Sequence, residues 1–388
     1  MSRIPRSKDD DYSAGAAAAR RDFITQQTGA VLEHTAAFSV DPGALRGNIE
    51  NFIGVCQIPL GIAGPIKVNG EHAVGEFYVP MTTTEGTLVA SYNRGMRVTR
   101  EAGGITVSVV DDHMQRAPVF IFADAREARQ FGLWLNDNLD GVRKAAESTT
   151  RVGKLDFIQQ FAASRFLYLR FNYSTGDAAG QNMCGRATRE ACLWIAAQYP
   201  GPLERWVLSG NMDTDKKHSQ LNTLHSRGKR VIAECVIPDA LLRERLHVSA
   251  EAFFRQRGIS NIGAMMAGSS NNGSHAANGI AAVFIATGQD EANVAESQSA
   301  IVHSELTEQG DLYYSITLPS LIVASYGGGT GLPTQRECLE IMGCHGQGKA
   351  RKLAEIIGAT VLCGELSLGA AVIADEWVSS HEQYGRNR

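Results

Sequence analysis

The sequence predicts an α/β (α+β) chain in which one large, discontinuous domain is interrupted by a smaller ferredoxin-like insert. Three observations lead there. A chain of 388 residues is too long for one minimal domain and short for three, so two cores are the natural division. From residue 117 to 208 the patterning runs strand, helix, strand, strand, helix, strand, the βαββαβ order of the split βαβ arrangement. The chain on either side carries strands and helices of its own, which must close into one unit around the insert. The division is then an N-terminal tail and helical segment over 1–47, the first part of the large domain over 48–108, the insert over 109–208, and the second part over 209–388.

Taken in order, residues 16–32 repeat apolar positions at helical spacing and predict a helix. The charged stretch before it has no apolar core behind it, unlike a secretory leader. Over 55–79 the period shortens to strands, QIPLGIAGPIKV and EFYV, punctuated by Gly and Pro. The hydroxyl residues at 82–84 precede a helical pattern with Thr84 as N-cap and Gly103 and Gly104 as its stop, which puts Glu85 in the first turn. In the insert PVFIFA, KLDFIQQF, RFLYLRFNY and ERWVLSG read as strands, and 125–147 and 177–198 as helices. Further helices are expected over 240–257, 274–287, 337–342 and 350–374. The segment GCHGQGKA at 343–350 has the GxxxxGK of a phosphate loop, but Ala stands where Ser or Thr should bind magnesium, and it reads as a turn entering the last helix.

Composition narrows the function. A hydrophobic share of 44% and a charged share of 20% are ordinary for a globular protein. The formal charge is -4 and the Lys and Arg residues are scattered, so no basic stripe offers itself to nucleic acid or anionic lipid. Apolar stretches at 279–288 and 359–378 are too short, or too interrupted by Glu365 and small residues, to span a bilayer. Neither nucleic acid nor membrane is an expected partner. Seven cysteines without a CxxC pair suit reduced thiols in the cytoplasm, and ten histidines without HExxH spacing predict no metal.

Four places concentrate polar residues in apolar or Gly-rich surroundings: TTTEG at 82–86, SGNMDTDKK at 209–217, TGQDEAN at 287–293 and SSHEQ at 379–383. Each has a bland reading. Glu85 could offset a helix dipole, Lys216 and Lys217 could line a solvated turn, Asp290 could cap a helix, and His381 could be inert. Together they make a set suited to carbonyl reduction. A lysine ammonium neutralises the oxyanion formed as hydride arrives. An aspartate keeps that lysine charged and aimed. A histidine protonates a departing thiolate, and a glutamate raised by burial gives a proton to the alkoxide. GDAAGQNM at 176–183 links a strand to a helix through small residues and leaves room for a pyrophosphate at the helix N-terminus, although Asp177 could equally be a plain N-cap. YGGGTG at 326–331 lacks the strand, helix and acidic residue of a dinucleotide fingerprint.

These strings, with ENFIGVCQIPLGIAGP, PMTTTEGTLVASYNRG, MQRAPVF, HAANGIAAVFIATGQD, PSLIVASYGGGT and GELSLGAA, make the chain resemble 3-hydroxy-3-methylglutaryl-coenzyme A (HMG-CoA) reductase from about residue 48 to 381. The resemblance implies reduction of (S)-HMG-CoA to mevalonate and free CoA by two hydride transfers, in isoprenoid precursor synthesis. Glu85 becomes the acid, Lys216 the oxyanion stabiliser, Asp290 its orienting partner and His381 the thiolate acid. The insert becomes the cofactor domain and the rest the CoA and substrate domain. NADPH is favoured over NADH by Arg151 beside Thr150; the other implied cofactor contacts are Asp177, Ala179, Gly180, Gln181, Asn182, Met183, Gly327, Gly328 and Gly329. Ser91, Asn93, Arg94 and His275 match positions that handle coenzyme A, and Ser209, Asp215, Lys217 and Asn278 positions around the acyl group. A homodimer, or dimer of dimers, with active sites at the interface is also implied.

Three departures stand out. Ser108 is read in the place of a carboxylate-binding arginine, Ile259 and Ser260 stand where a lysine is expected, with Arg255 and Arg257 nearby, and Gln181 replaces a usual methionine. Rival readings are reduction of a different CoA-bound or carrier-bound acyl thioester, a catalytically silent CoA-binding homologue, and a chelator-sensitive metal hydrolase.

Overall fold

The computed structural model describes residues 3–269 and 271–375. Its strands are β1 (Leu60–Gly70), β2 (Val74–Thr82), β3 (Ile105–Arg116), β4 (Val119–Ile121), β5 (Lys154–Ala163), β6 (Phe166–Ser174), β7 (Arg205–Val207), β8 (Gly228–Ile237), β9 (Ile301–Leu306) and β10 (Leu312–Leu321). Its helices are α1 (Ala14–Thr28), α2 (Leu88–Glu101), α3 (Ala125–Asp137), α4 (Leu139–Glu147), α5 (Gln181–Gln198), α6 (Gln220–His225), α7 (Asp239–Leu246), α8 (Ala250–Met266), α9 (Ala276–Thr287), α10 (Val294–Ser297), α11 (Pro333–Ile341) and α12 (Ala350–Ile373).

The strands form one open sheet in the order β7-β4-β6-β3-β8-β10-β9, with β5 on β6 and the β1–β2 hairpin joined to β3. Within the insert, β7, β4, β6 and β5 lie side by side and antiparallel, the arrangement a βαββαβ chain makes when each crossover leaves a gap for a later strand. Strand β3 serves both sides of the molecule: Thr106 to His113 pair with β8, and Met114 to Arg116 pair with β6. Two hydrophobic clusters result. One gathers β1, β2, β8 and β10 with α2, α9 and α12, and the other packs β4 to β6 against α3, α4 and α5.

Helix α12 is the axis of the first cluster. It is long and apolar enough to cross a membrane, yet every residue from Leu353 to Ser367 is buried inside the protein. Its two internal carboxylates hold a hairpin turn and a helix start. Glu355 accepts backbone N–H groups from Glu71, His72 and Ala73 at 3.1, 2.8 and 2.6 Å. Glu365 accepts those of Ser274, His275 and Ala276 at 2.8, 2.6 and 2.9 Å, satisfying the orphan donors that open α9.

Several sequence expectations move. The helix expected to start after Thr84 begins at Leu88, because the Thr83 hydroxyl accepts the Glu85 N–H in a local turn and Thr87 takes the left-handed capping position; Glu85 therefore sits in the loop ahead of the helix. The single helix expected over 125–147 breaks at Asn138, whose side chain binds the Trp134 carbonyl while its backbone leaves helical geometry. The helix expected from residue 177 starts at Gln181. Residues 240–257 divide at His247, which has φ 57°, into α7 and the much longer α8. Strands β8, β9 and β10 were not anticipated.

Candidate active site

Lys216 and Asp290, from segments separated by the whole of β8, α7, α8 and α9, meet with Nζ 2.9 Å from Oδ2. Asp290 follows α9 and holds its place by accepting the Ala292 N–H at 3.2 Å. Lys216 lies in a tight turn with φ 57°, its backbone N–H donating to Glu296 at 2.5 Å. The Asp290 hydrogen bond raises the Lys216 pKa above the ordinary lysine value, so the ammonium form is held. Behind the turn, the buried Arg227 donates to Asp215 at 2.6 Å, and its Nε lies 2.8 Å from Glu296 in an ion pair without hydrogen-bond alignment. Burial pushes the Glu296 carboxyl above its usual range while Arg227 pulls it the other way.

Asp290 also lines a cleft of about 540 Å³ between the insert and the C-terminal half. Ala179 to Met183 form one wall, Gly327 to Gly329 another, and Gly288 to Glu291 a third. The walls approach closely because side chains are absent: a Cβ on Gly329 would lie 2.6 Å from the Gly288 carbonyl oxygen. Gly180, at φ 82°, opens α5, and a Cβ there would meet Thr175 at 2.3 Å. The α5 N-terminus thus faces open space with small residues around it, as an anionic pyrophosphate requires. Met183 connects this wall to Thr150, whose hydroxyl lies 3.2 Å from its sulfur, with the exposed Arg151 next in sequence.

A cation that the sequence reading passed over also stands here. Arg116, at the end of β3, pairs with Asp213 at 2.9 Å and lies 3.8 Å from Asp215, while Ser209 donates to the same Asp213 oxygen at 3.3 Å. Its signal was present in the string MQRAPVF, but nothing in that string tells how far it lies from the DTDKK turn.

A family model described as hydroxymethylglutaryl-coenzyme A reductase matches residues 16–386. The chain belongs to the hydroxymethylglutaryl-coenzyme A reductase family. A relative named 3-hydroxy-3-methylglutaryl-coenzyme A reductase from Pyrococcus horikoshii is 45% identical over 95% of this chain and 91% of its own. One of the same name from Methanothermobacter thermautotrophicus is 45% identical over 95% and 92%. A solved structure of the class II 3-hydroxy-3-methylglutaryl-CoA reductase from Streptococcus pneumoniae, bound to NADPH in open conformations, superposes with a TM-score of 0.70 at 21% identity, covering 95% of this chain and 100% of that one, and so shares the fold.

The remaining residues expected from the reductase resemblance fall in three groups. Glu85 accepts from Asn278 Nδ2 at 3.3 Å, and Asn278 in turn contacts His275 Nδ1 at 3.3 Å. His275 is buried against the Tyr92 ring, its Nε2 has no hydrogen-bond partner among the described residues, and burial lowers its pKa to about 4. Glu85 itself is exposed, so the burial expected to make it a proton donor is not present in the single chain. Asn278 sits in the first turn of α9 and Asp290 just past its last, so the two contacts lie at opposite ends of a 12-residue helix, which at about 1.5 Å per residue is about 18 Å long.

Ser91 and Arg94 bond Ser367 of α12, and Asn93 accepts the Gly64 N–H at 2.7 Å, so these three also hold the fold together. Lys217 donates to the Asp215 carbonyl at 3.1 Å. Asp177 neither caps α5 nor lines the cleft: its carboxylate accepts the N–H groups of Gly348, Lys349 and Ala350 at the start of α12.

Ser108 is not at the site. It lies eight residues back along β3, about 26 Å from Arg116, and donates to Glu71 at 3.2 Å. Arg255 pairs with Glu251 on the exposed side of α8, and Arg257 donates to the Asn272 carbonyl at 2.7 Å. His381 lies outside the described residues.

Proposed function

We propose that this chain reduces (S)-HMG-CoA with two NADPH and two protons to mevalonate, free coenzyme A and two NADP+. The observation that carries the reading is the Lys216–Asp290 pair at the edge of the cleft: a fixed ammonium beside space for a dinucleotide. NADPH bound there supplies the hydride for both reductions. The Lys216 ammonium, aimed by Asp290, stabilises the oxyanion that develops on the thioester carbonyl and again on the aldehyde. Between the two reductions the hemithioacetal breaks its C–S bond, and His381 gives the leaving thiolate its proton. Glu85 gives a proton to the final alkoxide. Arg116, beside Ser209 and the DTDKK turn, supplies the positive charge for the distal carboxylate of the acyl group, with Lys217 and Asp215 around it.

The α5 N-terminus, with Ala179 ahead of it and Asn182 in its first turn, takes the pyrophosphate, and Thr150 and Arg151 the 2'-phosphate that distinguishes NADPH. We read residues 109–208 as the cofactor unit and the flanking segments as the CoA and substrate unit. Ser91, Asn93, Arg94 and His275 are placed on the coenzyme A side.

The catalytic set is completed by a second copy of the chain. Glu85, Asn278 and His275 lie at one end of α9 and Lys216 with Asp290 at the other, which supports a site shared between two chains. The face of α8 that carries Ile259, Ile262, Met265 and Met266 is exposed and apolar in the single chain, as an interface would be. Unpaired cysteines at all seven positions suit the cytoplasm.

The test is consumption of NADPH by purified protein given HMG-CoA, with mevalonate and CoA as products and light scattering for the assembly. Lys216→Ala is expected to lower kcat by roughly 10²–10³ with nucleotide binding kept. Turnover of another acyl-CoA without turnover of HMG-CoA rejects the substrate.

A further inference from the structure

The two halves of the Lys216–Asp290 pair come from distant segments, and one side chain ties those segments together. Gln181, the first residue of α5, donates from Nε2 to Asp215 Oδ1 and to Asn293 Oδ1, each at 3.0 Å. Asp215 immediately precedes Lys216. The Asn293 backbone N–H closes a turn on the Asp290 carbonyl at 3.0 Å. Gln181 also lines the cleft, between Gly180 and Asn182.

We propose that Gln181 is a positioning residue that fastens the Lys216–Asp290 pair to the wall of the nucleotide cleft, so that filling the cleft and aiming the ammonium are one event. The inference rests on the reductase reading above. Three features of the surroundings support it. Lys216 holds a left-handed backbone conformation, which a non-glycine residue keeps only where its neighbours over-determine it. The Asn293 amide nitrogen is buried without a partner among the described residues, so the oxygen taken by Gln181 is what fixes that side chain. Asp215 is shared between Gln181 and the buried Arg227, and the turn is thereby gripped from the cleft and from the core. A methionine, the residue the resemblance leads one to expect at 181, has no N–H to donate and could hold neither segment. The clamp therefore belongs to this chain's own residue.

The experiment varies HMG-CoA and NADPH together with the full-length protein. In the wild type, the KM for HMG-CoA is expected to fall by about threefold or more as NADPH approaches saturation, the signature of coupled sites. Gln181→Met is expected to abolish that dependence and to lower kcat by about tenfold or more, since a misplacement near 1 Å can cost about 10²-fold, while the NADPH Kd from nicotinamide fluorescence changes by less than about threefold. Gln181→Glu adds a readout that a merely structural role would not move. Its carboxylate faces Asp215, so activity is expected to be lowest near about pH 8 and to recover toward about pH 6, as the protonated acid becomes a donor. Should Gln181→Met not fold, that pH profile decides alone: one parallel to the wild type overturns the inference. So does a folded Gln181→Met with wild-type kcat and coupling, or with weakened NADPH binding as its sole defect. A wild type that consumes no NADPH with HMG-CoA removes the reductase reading, and this inference with it.

Discussion

Replacing Asp177 separates a helix cap from a cofactor contact. Its carboxylate accepts three N–H groups ahead of the first turn of α12, from Gly348, Lys349 and Ala350 at 2.7, 3.0 and 3.2 Å. Asp177→Ala leaves all three without an acceptor. Loss of a capping side chain costs about 0.5–2 kcal/mol, and three donors plus an anion at the positive end of a long helix place this one near the top, about 2 kcal/mol. With an unfolding entropy of about 2 cal/mol/K per residue, a chain of 388 residues is expected to melt about 2–3 °C lower. Asp177→Asn keeps an acceptor but no charge, and is expected to lose about half as much.

The pH dependence follows from the same contacts. Burial opposes ionisation of Asp177, but the backbone donors of Gly348, Ala350 and Lys349 outweigh it and hold the pKa below the usual aspartate value. A depressed folded pKa gives stability that is fully present above the unfolded value of about 3.9 and is lost as pH falls through the folded one. The gap between wild type and Asp177→Asn should thus be full at neutral pH and close below about pH 4. Thermal melts across pH, paired with nicotinamide fluorescence, read both properties. An unshifted melt with nucleotide binding abolished would refute the cap and make Asp177 a cofactor ligand.

Arg116→Gln should raise the KM for HMG-CoA by about 30-fold or more, from the roughly 2–5 kcal/mol carried by a desolvated charge partner, while sparing an acyl-CoA without a distal carboxylate. Equal losses on both substrates would confine Arg116 to bracing Asp213. His275→Gln should remove a slope in stability between pH 6.5 and about 4. The folded imidazole resists protonation, so wild-type stability declines as pH falls through that window, by up to about 3 kcal/mol, and urea melts across pH measure it. Gly329→Ala places a methyl 2.6 Å from the Gly288 carbonyl oxygen, so the cleft walls must part. About tenfold weaker NADPH binding is expected from the displaced backbone, with titration by fluorescence as the check.

Much of this protein was legible in its residues. The βαββαβ insert, the core helix of residues 350–374 and the turn character of GCHGQGKA came from periodicity and from Gly and Pro, because those signals are local. Side-chain types singled out Lys216 and Asp290, which the structure pairs at 2.9 Å. Strands β8, β9 and β10 were missed because residue type does not follow their alternating burial: apolar Ile232, Val236 and Ile301 stand on the open face and polar Ser304 on the buried one. Glu85 was misplaced because Thr83, next to the expected cap Thr84, closes a local turn on it and the helix starts only at Leu88.

Sequence by itself determined which groups are present: an ammonium, an aspartate, a glutamate, a histidine, and small residues ahead of α5. Tertiary structure alone decided who meets whom. It moved Asp177 from the cleft to the foot of α12, sent Ser108 to the far end of β3, brought Arg116 to the DTDKK turn, and set Glu85 and Lys216 at opposite ends of one helix. Local pattern fixes the direction and period of a segment, whereas contacts between segments depend on the register and length of everything that lies between them. A rise of about 3.3 Å per residue along a strand is enough to carry eight residues out of a site.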